Sequence, residues 1–390
     1  IGLVQLQPDG TLLLDGSGQP IPTYNQAVVS ETAKVLTGWT WASAPATLTD
    51  ESQFINSWPA TNYPASLPDD NAWLVPMRYY DAFHDKTAKR LVSLQQLPLA
   101  NATPTLVPAN QTGPQDLKIL LDTLFNHPNT GPFVCRQLIQ RLVTSNPSPG
   151  YVYRVAQVFA NDGTGTRGNL GAVVRAILTD YEARSPAVQA NFGYGKIKEP
   201  LVRVAAFMRA LNASAPNGRY MDSFNGDPTG YMGHLPSGFL ANPIFAAAQA
   251  VTMSPTVFNF FLPDYSPPGA LAAAGLVAPE LQITDSLFSV HMPNQMVQLM
   301  YRNIATMPKP ASGASPYIVL DYSALLPNAK NPPALADQLS LLFCANQMTA
   351  ATHAQIVATL NSFPAAATDL ERVQTAIQFT ITSPDGALQK

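Results

Sequence analysis

Charge is scarce in this chain. Asp, Glu, Lys and Arg make up 12% of its 390 residues, about half of the roughly 25% found in an ordinary soluble domain. Its polar surface must therefore be built from Asn, Gln, Thr, Ser and Pro, a composition more usual outside the cytosol than inside it. The net charge is -3 and no basic run occurs, so the electrostatic footprint of a nucleic-acid partner is missing. Long apolar runs are missing as well. Stretches such as 269–279 are too short and too rich in Ala and Gly to span a bilayer as a helix, so no transmembrane segment is expected. Only two cysteines occur, Cys135 and Cys344, which limits the chain to one disulfide. Each sits among apolar neighbours and reads first as a small buried hydrophobe, with a bridge as the alternative, because sequence does not supply the Cα separation that a disulfide requires. Also absent are the G-x-S-x-G, H-E-x-x-H, C-x-x-C and G-x-x-x-x-G-K-[ST] patterns, a signal peptide and a repeat of 20 to 50 residues. These absences remove the strong catalytic signals and the solenoid architectures. They leave open a site assembled from distant residues.

Helical periodicity is what the chain has in quantity. In the stretch from Asp116 to Asn146, Leu117, Leu120, Leu121 and Leu124 recur at i, i+3, i+4 and i+7, one apolar stripe of an amphipathic helix. Pro128 disfavours the α conformation at His127 and ends that helix. Pro132 suits the first turn of a second helix, which carries Val134, Leu138 and Leu142 on one face, so His127 stands at a corner between two helices. The period returns at 152–159, 170–178, 201–211, 335–342, 356–360 and 370–377. The reading is a mainly α protein, a multi-helical array of helical hairpins around one core, with a minor β-hairpin within residues 3–22 and a short strand at 317–322. Thr23 is expected to cap a helix that ends near Gly38. A helix containing Lys89 is expected behind Asp85, and a helix from Glu280 toward Met307 is expected to break near Pro293. The period disappears over 212–243, a long connection or lid carrying Tyr231, His234 and Phe239.

The blocks HPNTGPFVCRQLIQRLVTSNPSPGYVYRVAQVF and GNLGAVVRAILTDYEAR carry a resemblance. Together with TYNQAVVSETAKVLTGW, FHDKTAKRLV, KIKEPLVRVAAFMRAL, SPTVFNFFLPDYSPPGALAAAGLVAPELQI and TAIQFTITSPDGALQK, they resemble, in family order, the bacterial family catalogued as domain of unknown function 1800. The resemblance implies one family domain over 1–390, with a subdivision into 1–211 and 212–390 as the alternative. It implies export, to a secreted or periplasmic location. It also implies a helical segment ahead of Ile1, with repeated Glu and Leu, that this chain lacks; that segment, or another exported protein, is the expected partner. It implies no agreed activity.

Five histidines are the scarce chemical resource. His84, Asp85 and Lys89 lie together in FHDKTAKR, and with His127 they are the catalytic candidates. A His-Asp metal phosphohydrolase needs a further histidine upstream, and His84 is the first in the chain, which disfavours that mechanism. His84, Asp85 and His127 are the candidate ligands should a divalent metal bind; no other cofactor is expected. The bland alternative makes His127 a helix cap, donating to the last carbonyls at the negative end of the dipole. Trp39, Trp41, Trp58, Tyr63, Trp73, Tyr79, Tyr80 and Phe83 offer either a platform for sugar rings or a packed cluster. Asp9 and Asp15 sit in glycine-bearing turns without the spacing of an EF-hand. Two functional readings remain open: an exported protein with a structural, assembly or partner-binding role, and a secreted hydrolase of a polymer or glycan, metal-assisted in one form, with its site near His84 and His127.

Overall fold

Helical period becomes helix almost everywhere the sequence shows it. A computed structural model describes residues 1–41, 47, 52–55, 76–214, 249, 254–256, 259–284, 286, 288–301 and 319–390, and the protein is mainly α-helical. The longer helices are α1 (Gln26–Val35), α2 (Gly113–Asn126), α3 (Thr130–Leu142), α4 (Pro149–Ala160), α5 (Leu170–Thr179), α6 (Pro200–Ala210), α7 (Phe288–Tyr301), α8 (Pro332–Cys344), α9 (Ala350–Asn361) and α10 (Asp369–Thr382). Strands among the described residues form only small antiparallel pairs. β1 (Trp39–Thr40) joins β2 (Arg78–Tyr79), β3 (Lys89–Leu91) joins β4 (Thr105–Val107), and β5 (Lys196–Ile197) joins β6 (Leu388–Gln389). The chain divides into two compact units, Ile1–Leu138 with Ser148–Ala176, and Ile139–Pro147 with Ile177–Lys390.

In the first unit, Val35 of α1, Leu91 of β3, Val107 of β4 and Leu120 of α2 are buried against one another. Residues 3–22 fold back through isolated antiparallel bridges, Val4 to Pro22, Leu6 to Leu12 and Leu14 to Pro20, rather than as one regular hairpin. The cap of α1 is Asn25, whose side chain accepts from the Val28 N–H. Thr23 is buried instead, its hydroxyl taken by Asn129. Lys89 lies in a strand, not in a helix: Asp85 accepts from the Thr87 N–H in a local turn, and pairing with β4 fixes the extended backbone behind it. The described aromatics pack on one another. Trp39 and Tyr79 lie with ring centroids 5.4 Å apart, and Phe54 stacks on Phe83 at 4.5 Å. Trp58, Tyr63 and Trp73 of the proposed platform lie outside the described residues, as do Tyr231, His234 and Phe239 of the 212–243 connection.

In the second unit, α8, α9 and α10 pack on each other, with α6 and α7 beside them. Their buried faces include Phe207, Met292, Met296, Leu335, Leu339, Ile356, Val373 and Ile377. Pro293 lies inside α7, which runs on past it. Met292, Met296 and Met300 recur at i, i+4 and i+8 and are all buried, so burial of that face outweighs the backbone bond lost at proline. Val319 bridges to Ser214, whereas the rest of the strand expected over 317–322 is not formed in its described part. Cys135 and Cys344 are both free and buried.

Among the described residues, five helix C-termini receive a cation. The last carbonyls of a helix have no intrahelical donor and sit at the negative end of its dipole. Arg167 donates to the Phe125 carbonyl at 3.1 and 3.2 Å at the end of α2. Lys196 donates to the Arg141 carbonyl of α3 at 2.8 Å, and Lys198 to the Phe343 carbonyl of α8 at 2.7 Å. Arg372 reaches the Leu360 carbonyl of α9 at 3.1 Å, and Arg203 the Ile381 carbonyl of α10 at 2.7 Å. Burial pushes the Lys198 ammonium below its usual range and the Arg203 guanidinium down to about 10, as expected for desolvated cations.

Two leucines of α8 test this packing. Leu339 is fully buried and Leu341 is 65% exposed. Leu339→Ala is expected to cost about 2–5 kcal/mol, and Leu341→Ala less than about 0.5 kcal/mol, in denaturant melts followed by circular dichroism.

Candidate functional site

The period of a strand and the period of a helix bring three ionisable side chains to one point. Along β3, Lys89 and Leu91 face inward and Arg90 faces out, as alternation requires. On α2, Asp116, Leu120 and Thr123 share the buried face. Lys89 Nζ consequently meets Asp116 Oδ2 at 2.8 Å, with each side chain 1% exposed. The ammonium also donates to the Asp85 carbonyl at 2.6 Å and the Thr87 carbonyl at 2.9 Å.

His84 completes the cluster. Its Nε2 lies 3.1 Å from the same Asp116 Oδ2, and its Nδ1 lies 3.0 Å from the Thr37 carbonyl. The Thr37 hydroxyl accepts from the Asp85 N–H. This close approach depends on Gly38, at φ +81°, where a Cβ would come within 2.8 Å of the Tyr80 carbonyl and 3.2 Å of His84 Cβ. The Tyr79 ring covers the imidazole edge-on at 5.7 Å. Asp116 Oδ1 is buried and has no hydrogen-bond partner. Asp116 is the residue that the sequence reading missed. The available signal was its place four residues before Leu120, on the same side of the helix as the apolar stripe.

His127 belongs to a different network. It is 1% exposed, and its Nδ1 accepts from the Asn129 N–H at 3.1 Å, while its ring also bonds the Ser93 backbone. One nitrogen therefore accepts and the other donates, which defines a neutral imidazole. Burial is the main cause that pushes its pKa down to about 4. His127 does stand just past the end of α2, but the donor to the final carbonyls is Arg167, which reaches Phe125 and, at 3.4 Å, His127 itself. Asn129, fully buried, ties the corner to the start of the chain. Its Oδ1 accepts from the Leu6 N–H at 3.0 Å, and its Nδ2 donates to the Val4 carbonyl at 2.8 Å and the Ile1 carbonyl at 3.1 Å.

The structure thus brings His84, Asp85 and Lys89 together around Asp116 and leaves His127 in a separate network. Among the described residues, no three His, Cys, Asp or Glu side chains are grouped so as to hold a metal ion. His353 pairs with Asp337 at the surface. Burial pushes the Cys135 thiol up to about 12 and the Cys344 thiol up to about 11, which makes both unreactive.

Gly163, Gly165 and Gly168 have the spacing of G-x-G-x-x-G, a second signal that the sequence reading missed. They follow a helix rather than a strand. The backbone N–H groups of Gly163 and Gly165 are taken by the Asn161 side chain, and those of Thr164 and Thr166 by Asp162. No phosphate cradle is left.

The second unit holds a comparable buried pair. Lys196 Nζ lies 3.2 Å from Glu280 Oε1, at 3% and 1% exposure, and Ser145 Oγ lies 3.4 Å from Glu280 Oε2.

A family model described as "Protein of unknown function (DUF1800)" matches residues 11–387, and the chain belongs to this family. No curated protein matches the chain. No solved structure matches it either.

Three outcomes are expected. Asp116→Ala leaves the buried Lys89 ammonium without its carboxylate, so a loss of about 3–5 kcal/mol is expected in denaturant unfolding. Asp81→Ala, which breaks the exposed pair with Lys86, should leave the unfolding midpoint nearly unchanged. For His127 the folded-state pKa lies below the unfolded one, so its contribution to stability is complete above about 6.5 and is lost as pH falls toward about 4. Wild type should lose on the order of 3 kcal/mol more than His127→Gln across that window, measured as the pH dependence of the unfolding free energy.

Proposed function

We propose that this chain is an exported protein with a structural, assembly or partner-binding role. The observation that carries this reading is the state of its candidate histidines. Both ring nitrogens of His84 and both of His127 are bonded inside the fold. A general base, or a metal ligand backed by a second shell, needs one ring nitrogen directed at the reacting group or the ion. Lys89 is held by three acceptors in the same way. These groups hold elements together and present nothing to a polymer or a glycan. Support for export comes from the scarcity of charge and the amide-rich, proline-rich composition of the chain. Membership of the family adds no activity to set against a binding role.

The test is made in the host bacterium with the tagged, full-length protein. The expected result is recovery in the extracytoplasmic fraction, cross-linked in fixed stoichiometry to another exported protein or to itself. A cytoplasmic protein, or one that stays monomeric under cross-linking, overturns the reading. So does a His84→Gln variant that keeps its melting temperature but loses a polymer-hydrolysing activity of the wild type.

A further inference from the structure

We propose that Lys89 and Asp116 are a condensation pair, and that the mature protein carries an amide bond between Lys89 Nζ and Asp116 Cγ. Four observations converge on this pair. The two reacting groups are in direct contact at 2.8 Å and are 1% exposed at both ends. Each sits on a fixed element, Lys89 in the paired strand β3 and Asp116 in the first turns of α2, so the encounter is unimolecular and the freedom lost on bond formation was already lost on folding. A third group touches the reacting oxygen, because His84 Nε2 lies 3.1 Å from Asp116 Oδ2. Finally, Asp116 Oδ1 is buried without a partner. A carboxylate with a bare buried oxygen is a costly species, and conversion to a neutral amide removes the charge from that site.

The step balances without any co-reactant. One Nζ proton passes to Oδ2 along the existing hydrogen bond, and the freed lone pair of Nζ forms the N–Cγ bond. A second Nζ proton travels through His84 Nε2 to Oδ2, the Cγ–Oδ2 bond breaks, and Oδ2 leaves as water. Oδ1 remains as the amide oxygen. The third proton stays on nitrogen, where the Asp85 carbonyl, 2.6 Å from Nζ before reaction, accepts it. Ammonium and carboxylate become one neutral amide and one water, nothing is oxidised or reduced, and His84 ends in the state in which it began. Burial then keeps bulk water from reversing the bond. The Lys196–Glu280 pair lacks this arrangement: its second oxygen faces a Ser145 hydroxyl rather than being free, and among the described residues no imidazole is bonded to the oxygen that faces Lys196.

Intact-mass analysis of the folded wild-type protein, denatured only for the measurement, tests the proposal. The expected mass is below the sequence mass by one water, about 18 Da, with a branched peptide joining Lys89 to Asp116 after digestion. Lys89→Met and Asp116→Ala should stand at their full sequence masses. Asp116→Asn should form the same amide with loss of ammonia instead of water. In newly refolded His84→Gln, the mass change should appear roughly 100-fold more slowly than in the wild type. Wild-type protein at its full sequence mass overturns the proposal, whether or not any variant folds. Water lost at another position overturns it too, and a His84→Gln variant that reacts at the wild-type rate overturns the proton relay.

Discussion

A helix ends in carbonyls that nothing inside the helix can satisfy, and this protein answers that requirement with its few cations. Arg167, Lys196, Lys198, Arg203 and Arg372 each donate to a carbonyl in the closing turn of a helix that lies elsewhere in the sequence. Such a bond satisfies an orphan acceptor, opposes the helix dipole and fixes one element against another. With only 22 Lys and Arg in the chain, assigning five of them this way leaves a surface low in positive charge. The sparse charge of the composition and the joining of the helices are thus two aspects of one arrangement.

The same inward use of charge shapes the cluster around Asp116. A buried carboxylate between an ammonium and an imidazole resembles a catalytic site when only residue types are considered. Geometry distinguishes the two cases. At His84 and His127 every ring nitrogen is bonded within the fold, and the Lys89 ammonium has acceptors for all of its protons. A network bonded in this way, open only at Asp116 Oδ1, specifies how β3, α2 and the turn after α1 meet. Its worth lies in that specificity more than in net stability, because the desolvation of its charges offsets much of their attraction.

The helices were legible in the sequence because their signals are local. The stop at Pro128, the proline in the first turn of α3 and the Pro200 start of α6 all act within a few residues, and each appears as expected. The stripe from Leu117 to Leu124 does mark a helix, but Leu121 is exposed and Asp116 and Thr123 share the buried face with Leu120. Lys89 was misplaced because alternation over three residues is too short to outweigh a helix-like composition, and its strand exists only through pairing with residues 105–107. The turn of α7 through Pro293 depended on a methionine face that tertiary packing rewards. At the site, FHDKTAKR announced His84, Asp85 and Lys89 together, but their common partner lies on another element, at Asp116. His127 was legible as a corner, whereas Arg167, forty residues downstream of His127, supplies the cap.

Asn129 also sets an order of events. Its side chain binds Ile1, Val4 and Leu6 across more than 120 residues of chain, and it can do so only once the corner between α2 and α3 has placed that amide. Closing so long a loop is entropically unfavourable until its target exists. Residues 1–23 should therefore be a late passenger in folding, docking onto a preformed corner, and the first segment to detach when the protein opens locally.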